Sequence, residues 1–291
     1  MVESSSLELL CDEEPFLLTP APSPVAAQRG QRYSCFPESP PLSYSNITDE
    51  ERSQAFQDYI LREHQYGPCV GYSKQLHHFA HLSTARTKAI RYIILVCSRL
   101  GLATGTAFNA VNYLDRFFSM NRPMRWEVWM TELLSVACLS IASKLDEVDV
   151  PSLHHLQTED LDHRFQPSIV QQMELTVLKA LDWRLSCVTP YSYVHLLTWR
   201  THASQSARVT HLLLRALLDT TFVDFAASTV AVSAMRCVVQ TDAHLSTLSR
   251  LIPVERMDDV DSCHKIMGRR IMGPQNKNDG PWSPVSVIPM R

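Results

Sequence analysis

Four charged residues sit on or beside apolar helical stripes, where a buried charge needs a partner. Asp115 lies four residues after Val111 and three before Phe118, at the edge of the stripe Ala107, Ala110, Val111, Leu114, Phe117, Phe118. Arg86 extends by one turn the stripe Ala89, Ile90, Ile93, Cys97, Leu100. One ion pair, Arg86–Asp115, would satisfy both; two solvated side chains are the alternative. Lys144 ends an apolar run and on spacing alone reads as a cation at a helix C-terminus. Glu174 lies beside the stripe Val170, Met173, Val177, Leu181 and on spacing alone reads as an acid facing water.

Bond-making chemistry has no matching pattern. There is no G-x-S-x-G, no H-E-x-x-H and no glycine-rich phosphate loop. Asp146, Glu147 and Asp149, like Asp258, Asp259 and Asp261, crowd into loops and helix ends and read as solvated. The eight cysteines stand singly, with no CxxC pair, as expected of reduced thiols in a cytosolic or nuclear protein. His77, His78 and His81, and again His154 and His155, lack cysteines or carboxylates at ligand spacing, so solvated or capping roles are preferred to a metal site. No catalytic residue, cofactor or metal is expected, and the chain is not read as an enzyme.

The elements that would hold these residues are helical. Glycine is scarce, at 8 in the chain, and no alternating strands joined by hairpin turns occur. Thr48 and Glu51 form a capping box that opens a helix through about His64, and Gly67-Pro68 stops it. Helices are expected at 84–100, 104–120, 126–144, 151–158 and 167–182, then at 190–200, 205–218, 228–240, a short one, and 256–270. Pro151, Pro167 and Pro190 each suit a helix start. The run Leu133, Leu134, Val136, Ala137, Cys138, Leu139, Ile141, Ala142 is apolar on every side and belongs at the centre of a bundle. Two sets of about five helices imply an all-α fold of two tandem bundles, divided at 48–187 and 188–272.

Residues 1–47 differ from this. Seven of the 17 prolines fall in the first 41 residues, and 273–291 has a similar composition. Both read as disordered tails that bury too little apolar surface to offset ordering entropy. Net charge is −3 with no basic cluster, which argues against nucleic-acid binding. No uninterrupted apolar run reaches the roughly 20 residues of a membrane span, and the acidic N-terminus does not resemble a secretory signal. Within the first tail, Leu9-Leu10-Cys11-Asp12-Glu13 is an L-x-C-x-E sequence. Such a peptide can lie extended in a groove, Leu9 and Cys11 in apolar pockets and Glu13 on donors; it also reads as an idle tail. Thr19, Ser23, Ser39 and Ser283 each precede proline, as in proline-directed phosphorylation sites and as in plain turns.

Three strings carry a family resemblance. AVNYLDRFFS (110–119), ACLSIASKLDEVDVPSL (137–153) and MELTVLKALDWRLSCVTPYSYV (173–194) resemble the second helix, the third helix with its turn, and the fifth helix with its link in the D-type cyclins, the plant branch most closely. The likeness spans roughly 48–270. It implies the cyclin fold and a regulatory subunit that binds and activates a cyclin-dependent kinase at the G1/S transition. The five box positions fall on Arg86, Asp115, Leu133, Lys144 and Glu174, and in the family the lysine and glutamate bond backbone groups around the kinase's movable helix. That implication reverses the plain readings of Lys144 and Glu174. It also makes Leu9, Cys11 and Glu13 contacts for a retinoblastoma-related protein, kinase inhibitor proteins candidate partners, and the nucleus, with the cytoplasm, the expected location.

The chain departs from the family at Arg91-Tyr92, where Asp-Trp is usual, and at Ala227, usually proline, with Ser228 left to cap the helix. Thr87 and Lys88 make the apolar substrate-docking patch polar, so recruitment through it is not expected. The alternative is a diverged cyclin-fold adaptor, transcriptional or kinase-sequestering, without kinase activation.

Overall fold

The computed structural model describes residues 48–272 apart from 122–124, 158–159, 200, 240–247 and 249. The tail motifs at Leu9, Cys11 and Glu13, and the sites Thr19, Ser23, Ser39 and Ser283, lie outside the described residues. Within them the regular elements are all helices: α1 (Asp49–Glu63), α2 (Tyr72–His78), α3 (Ala80–Leu100), α4 (Thr104–Met120), α5 (Val128–Asp146), α6 (Leu153–Leu156), α7 (Pro167–Ala180), α8 (Val194–Thr198), α9 (Ala203–Leu218), α10 (Ala227–Val238) and α11 (Met257–Arg270), with short 3₁₀ turns between.

The local signals act as their chemistry predicts. The Thr48 backbone N–H donates to Glu51 at 2.8 Å and the Glu51 N–H to the Thr48 hydroxyl at 3.2 Å, a reciprocal cap at the head of α1. Gly101 ends α3 at φ +67°, a conformation open to glycine without Cβ strain, while the Leu102 N–H returns to the Cys97 carbonyl. Pro167 supplies the first turn of α7. α2 was not expected. It is a seven-residue helix whose Tyr72 and Leu76 are buried, too short for periodicity to reveal. The helix expected at 190–200 is a 3₁₀ turn over Pro190–Tyr193 followed by α8.

α5 is the hub of the first half, packed against α3, α4, α6 and α7. It is long and apolar enough to cross a membrane, but most of it is buried inside the bundle. In the second half α10 packs against α8, α9 and α11, and α3 meets α9. Buried side chains from both halves form one apolar cluster.

Candidate functional site

Arg86 and Asp115 meet between α3 and α4. Nε and Nη2 of Arg86 donate to the two Asp115 carboxylate oxygens at 2.7 and 2.8 Å, and the Tyr72 hydroxyl donates to Oδ1 at 2.9 Å. Burial opposes the charge on Arg86, but Asp115 outweighs it and raises the guanidinium pKa. The remaining amine, Nη1, donates to the Leu217 carbonyl at the end of α9, 2.8 Å away. The pair therefore ties two helices of the first half to one of the second.

Lys144 and Glu174 also meet. Nζ of Lys144 lies 2.8 and 2.7 Å from the Glu174 carboxylate oxygens, joining the end of α5 to α7. Spacing alone had the acid facing water; instead Glu174 is only 7% exposed, drawn inward because α7 packs its Val170–Val177 stripe on α5. Spacing also had Lys144 as a plain helix cap; its ammonium goes to the acid, and 48% of the side chain stays accessible. Leu133 lies buried in α5, while Leu145, Val148, Val150 and Leu175 near the pair in sequence are exposed.

Other groups were not foreseen. Glu63 is a buried acid on the Phe56–Ile60 face of α1 and is shared by the two halves. It accepts from the Tyr193 hydroxyl at 2.9 Å, from the Ser228 backbone N–H and hydroxyl at 2.8 and 2.9 Å, and from Arg256. This corrects the expected cap on α10: its N-cap is Ala226, Ser228 lies inside the helix, and Glu63 from α1 serves the helix N-terminus. Its spacing from Phe56 and Ile60 was the signal that could have found it. Glu132, an acid inside the apolar helix α5, accepts from Lys88 and the backbone N–H groups of Asp162 and His163, each at 3.1 Å, and contacts His163 Nδ1 at 2.9 Å. Burial raises its pKa, yet the bonds from His163, Asp162 and Lys88 prevail and lower it.

Lys88, in the polar patch, also reaches Asp162 at 2.8 Å, so that patch is occupied by an internal ion network. Tyr92 is buried and its hydroxyl donates to the Leu156 carbonyl, whereas Arg91 is exposed. The acids expected to be solvated are partly engaged: Glu147 accepts from the Ala103 N–H at 2.8 Å at the head of α4, and Asp261 pairs with Arg236 at 2.6 Å. His77, His78, His81, His154 and His155 are exposed. Among the described residues no three His, Cys, Asp or Glu converge as a metal would need. Burial pushes the Cys187 thiol up to about 12 and the Cys237 thiol to about 11.

Residues 54–186 match the family described as the cyclin N-terminal domain. A protein of Oryza sativa subsp. japonica provisionally named cyclin-D7-1 is 41% identical over 98% of this chain and 88% of its own length. Cyclin-D2-1 of the same plant is 31% identical over 74% of this chain and 70% of its own. Cyclin-D1-1 of Arabidopsis thaliana is 30% identical over 65% and 58%. An X-ray structure of a viral cyclin from herpesvirus saimiri superposes with a TM-score of 0.57 at 16% identity, covering 74% of this chain and 97% of the viral one, a likeness of fold.

Proposed function

The chain belongs to the D-type cyclins, and from that premise we propose that it binds and activates a cyclin-dependent kinase at the G1/S transition and directs it to a retinoblastoma-related protein. Cyclins are regulatory subunits and not themselves enzymes, and the family implies a cyclin-dependent kinase as partner. The observation that carries the proposal is the Lys144–Glu174 pair, a buried carboxylate holding a half-exposed ammonium where α5 meets α7. Exposed Leu145 of α5 and Leu175 of α7, with Val148 and Val150 in the segment that follows α5, supply apolar surface.

The mechanism is selective binding. A kinase helix seated on this surface exchanges water for the apolar residues, while its backbone groups compete for the ammonium and carboxylate. Because the surface fits one kinase conformation, it shifts the population towards it. In that conformation the kinase's helix glutamate meets its strand lysine and the activation loop is ordered. Arg86–Asp115 acts at one remove by fixing α3 against α4. The Leu9, Cys11, Glu13 segment tethers the substrate and raises its effective concentration. Kinase inhibitor proteins would compete for this complex, which acts in the nucleus as well as the cytoplasm. Phosphorylation of Thr19, Ser23, Ser39 and Ser283 would adjust its lifetime.

Recruitment through Thr87 and Lys88 is not part of the proposal, because Lys88 is already bonded to Glu132 and Asp162. Tethering is tested by the kinase complex acting on a retinoblastoma-related fragment: Glu13→Lys slows phosphorylation of that fragment and leaves a short peptide substrate unaffected. An unchanged rate on the fragment removes the tether. A second reading, a kinase-sequestering cyclin, draws on the Arg91-Tyr92 departure, and kinase binding without phosphorylation in the same assay would select it.

A further inference from the structure

A cavity of about 400 Å³ opens between the two halves of the chain. Its walls come from α3, α4 and the segment between α1 and α2 on one side, and from α9, α10 and the 3₁₀ turn joining them on the other. That volume lies in the range of sites that hold small organic molecules. Phe108, Val111, Leu213, Phe222, Phe225 and Val230 give it an apolar lining. At its rim Val70 is 95% exposed, an apolar side chain left in water beside an apolar hollow.

Five charged groups line the same space, the carboxylates of Glu63, Asp115 and Asp224 and the guanidinium groups of Arg86 and Arg256. Four of them cancel in pairs: Arg86 holds Asp115, and Arg256 holds Glu63. Asp224 is the remainder. It is exposed, and the Ser73 hydroxyl donates to its carboxylate at 2.6 Å. Among the described residues no cation lies at ion-pair distance from it. Ser73 belongs to α2 and Asp224 to the turn before α10, so this bond crosses the seam and fixes where the carboxylate stands. The cavity thus offers one uncompensated negative charge at its mouth above an apolar interior. A positive group on an apolar body complements both, whereas an acid would meet like charge.

We propose that this cavity binds a small amine with an aromatic or alicyclic body, its ammonium on Asp224 and its apolar part against Phe108, Val111 and Val230. Such an occupant touches both halves and stabilises their packing by mass action. The site operates with or without a bound kinase.

The test titrates the full chain with three probes of one shape, naphthylethylamine, naphthylethanol and naphthylpropionate, followed by calorimetry. The amine binds about tenfold more tightly than the alcohol, and the acid binds weakest. Asp224→Asn keeps an acceptor for Ser73 and removes the charge; it lowers the amine to the affinity of the alcohol and leaves the alcohol unchanged. Ala227→Phe, in the first turn of α10, fills the cavity and abolishes binding of both. Saturating amine slows alkylation of Cys69, which lines the cavity, and leaves that of Cys187, which does not, at its original rate. If Ala227→Phe melts early, Asp224→Asn and the protection of Cys69 decide without it. Equal affinity for the three probes, or amine binding unaltered by Asp224→Asn, overturns the role of the charge. No saturable binding of the amine, binding that leaves Cys69 unprotected, or undiminished binding by a folded Ala227→Phe variant overturns the site itself.

Discussion

Removing the Asp115 carboxylate isolates the contribution of the buried ion pair. Asp115→Ala deletes three acceptor bonds, at 2.7, 2.8 and 2.9 Å, and leaves Arg86 with a single carbonyl partner at Leu217. Arg86 is 2% exposed, so its charge has no direct route to water. Stranding a buried charge costs about 3–5 kcal/mol, and the lost tyrosine bond adds about 1 kcal/mol. At about 4 kcal/mol the expected fall in Tm is roughly 10 °C for a core of this size. Calorimetric or circular-dichroism melting of the full chain measures it. Replacing both partners by apolar residues, Arg86→Met with Asp115→Leu, recovers most of the loss, because no uncompensated charge remains. A fall below about 1 kcal/mol for the single variant, or a double variant no better than the single, would refute the idea that the pair is buried and mutually dependent.

Glu63→Ala strands the N-terminus of α10 and loosens Arg256; the expected loss is about 3 kcal/mol from charge-assisted bonds, with faster amide hydrogen exchange in the first turn of α10, and unchanged exchange there would contradict the assignment. Glu132 titrates lower when folded than its ordinary value of 4.5. Its stabilisation is therefore fully present above about pH 4.5 and is lost as pH falls through the folded value. The slope of stability against pH over that window should flatten in Glu132→Gln, and an identical slope sinks the prediction. Lys144→Ala strands the nearly buried Glu174, so it costs more stability than the Lys144→Ala/Glu174→Ala double variant; equal melting shifts would show that the acid does not need the lysine.

The legible part of this molecule was its helical stripes. The α3 and α4 stripes were continuous enough to bring out Arg86 and Asp115 as misplaced charges, and the apolar run of α5 gave the centre of the bundle. Glu174 was illegible by periodicity because its burial comes from α7 packing on α5, a contact distant in sequence. Glu63 and Arg116 eluded the reading for a related reason. Each is satisfied by partners far away in the chain, Glu63 by Tyr193, Ser228 and Arg256, and Arg116 by the carbonyls of 181 and 184. Helix α2 was missed because seven residues give fewer than two full turns of pattern. The Lys88 network could be suspected as polar but not as closed, since Glu132 and Asp162 reach it from different elements.

The most direct test of the central claim is a binding measurement between the purified full chain and a panel of cyclin-dependent kinases, repeated with the Lys144→Ala/Glu174→Ala variant after its fold has been checked by melting. At least one kinase is expected to bind the unaltered chain and to become active on a retinoblastoma-related fragment, with both properties lost in the variant. A folded variant that binds and activates as well as the unaltered chain would contradict it.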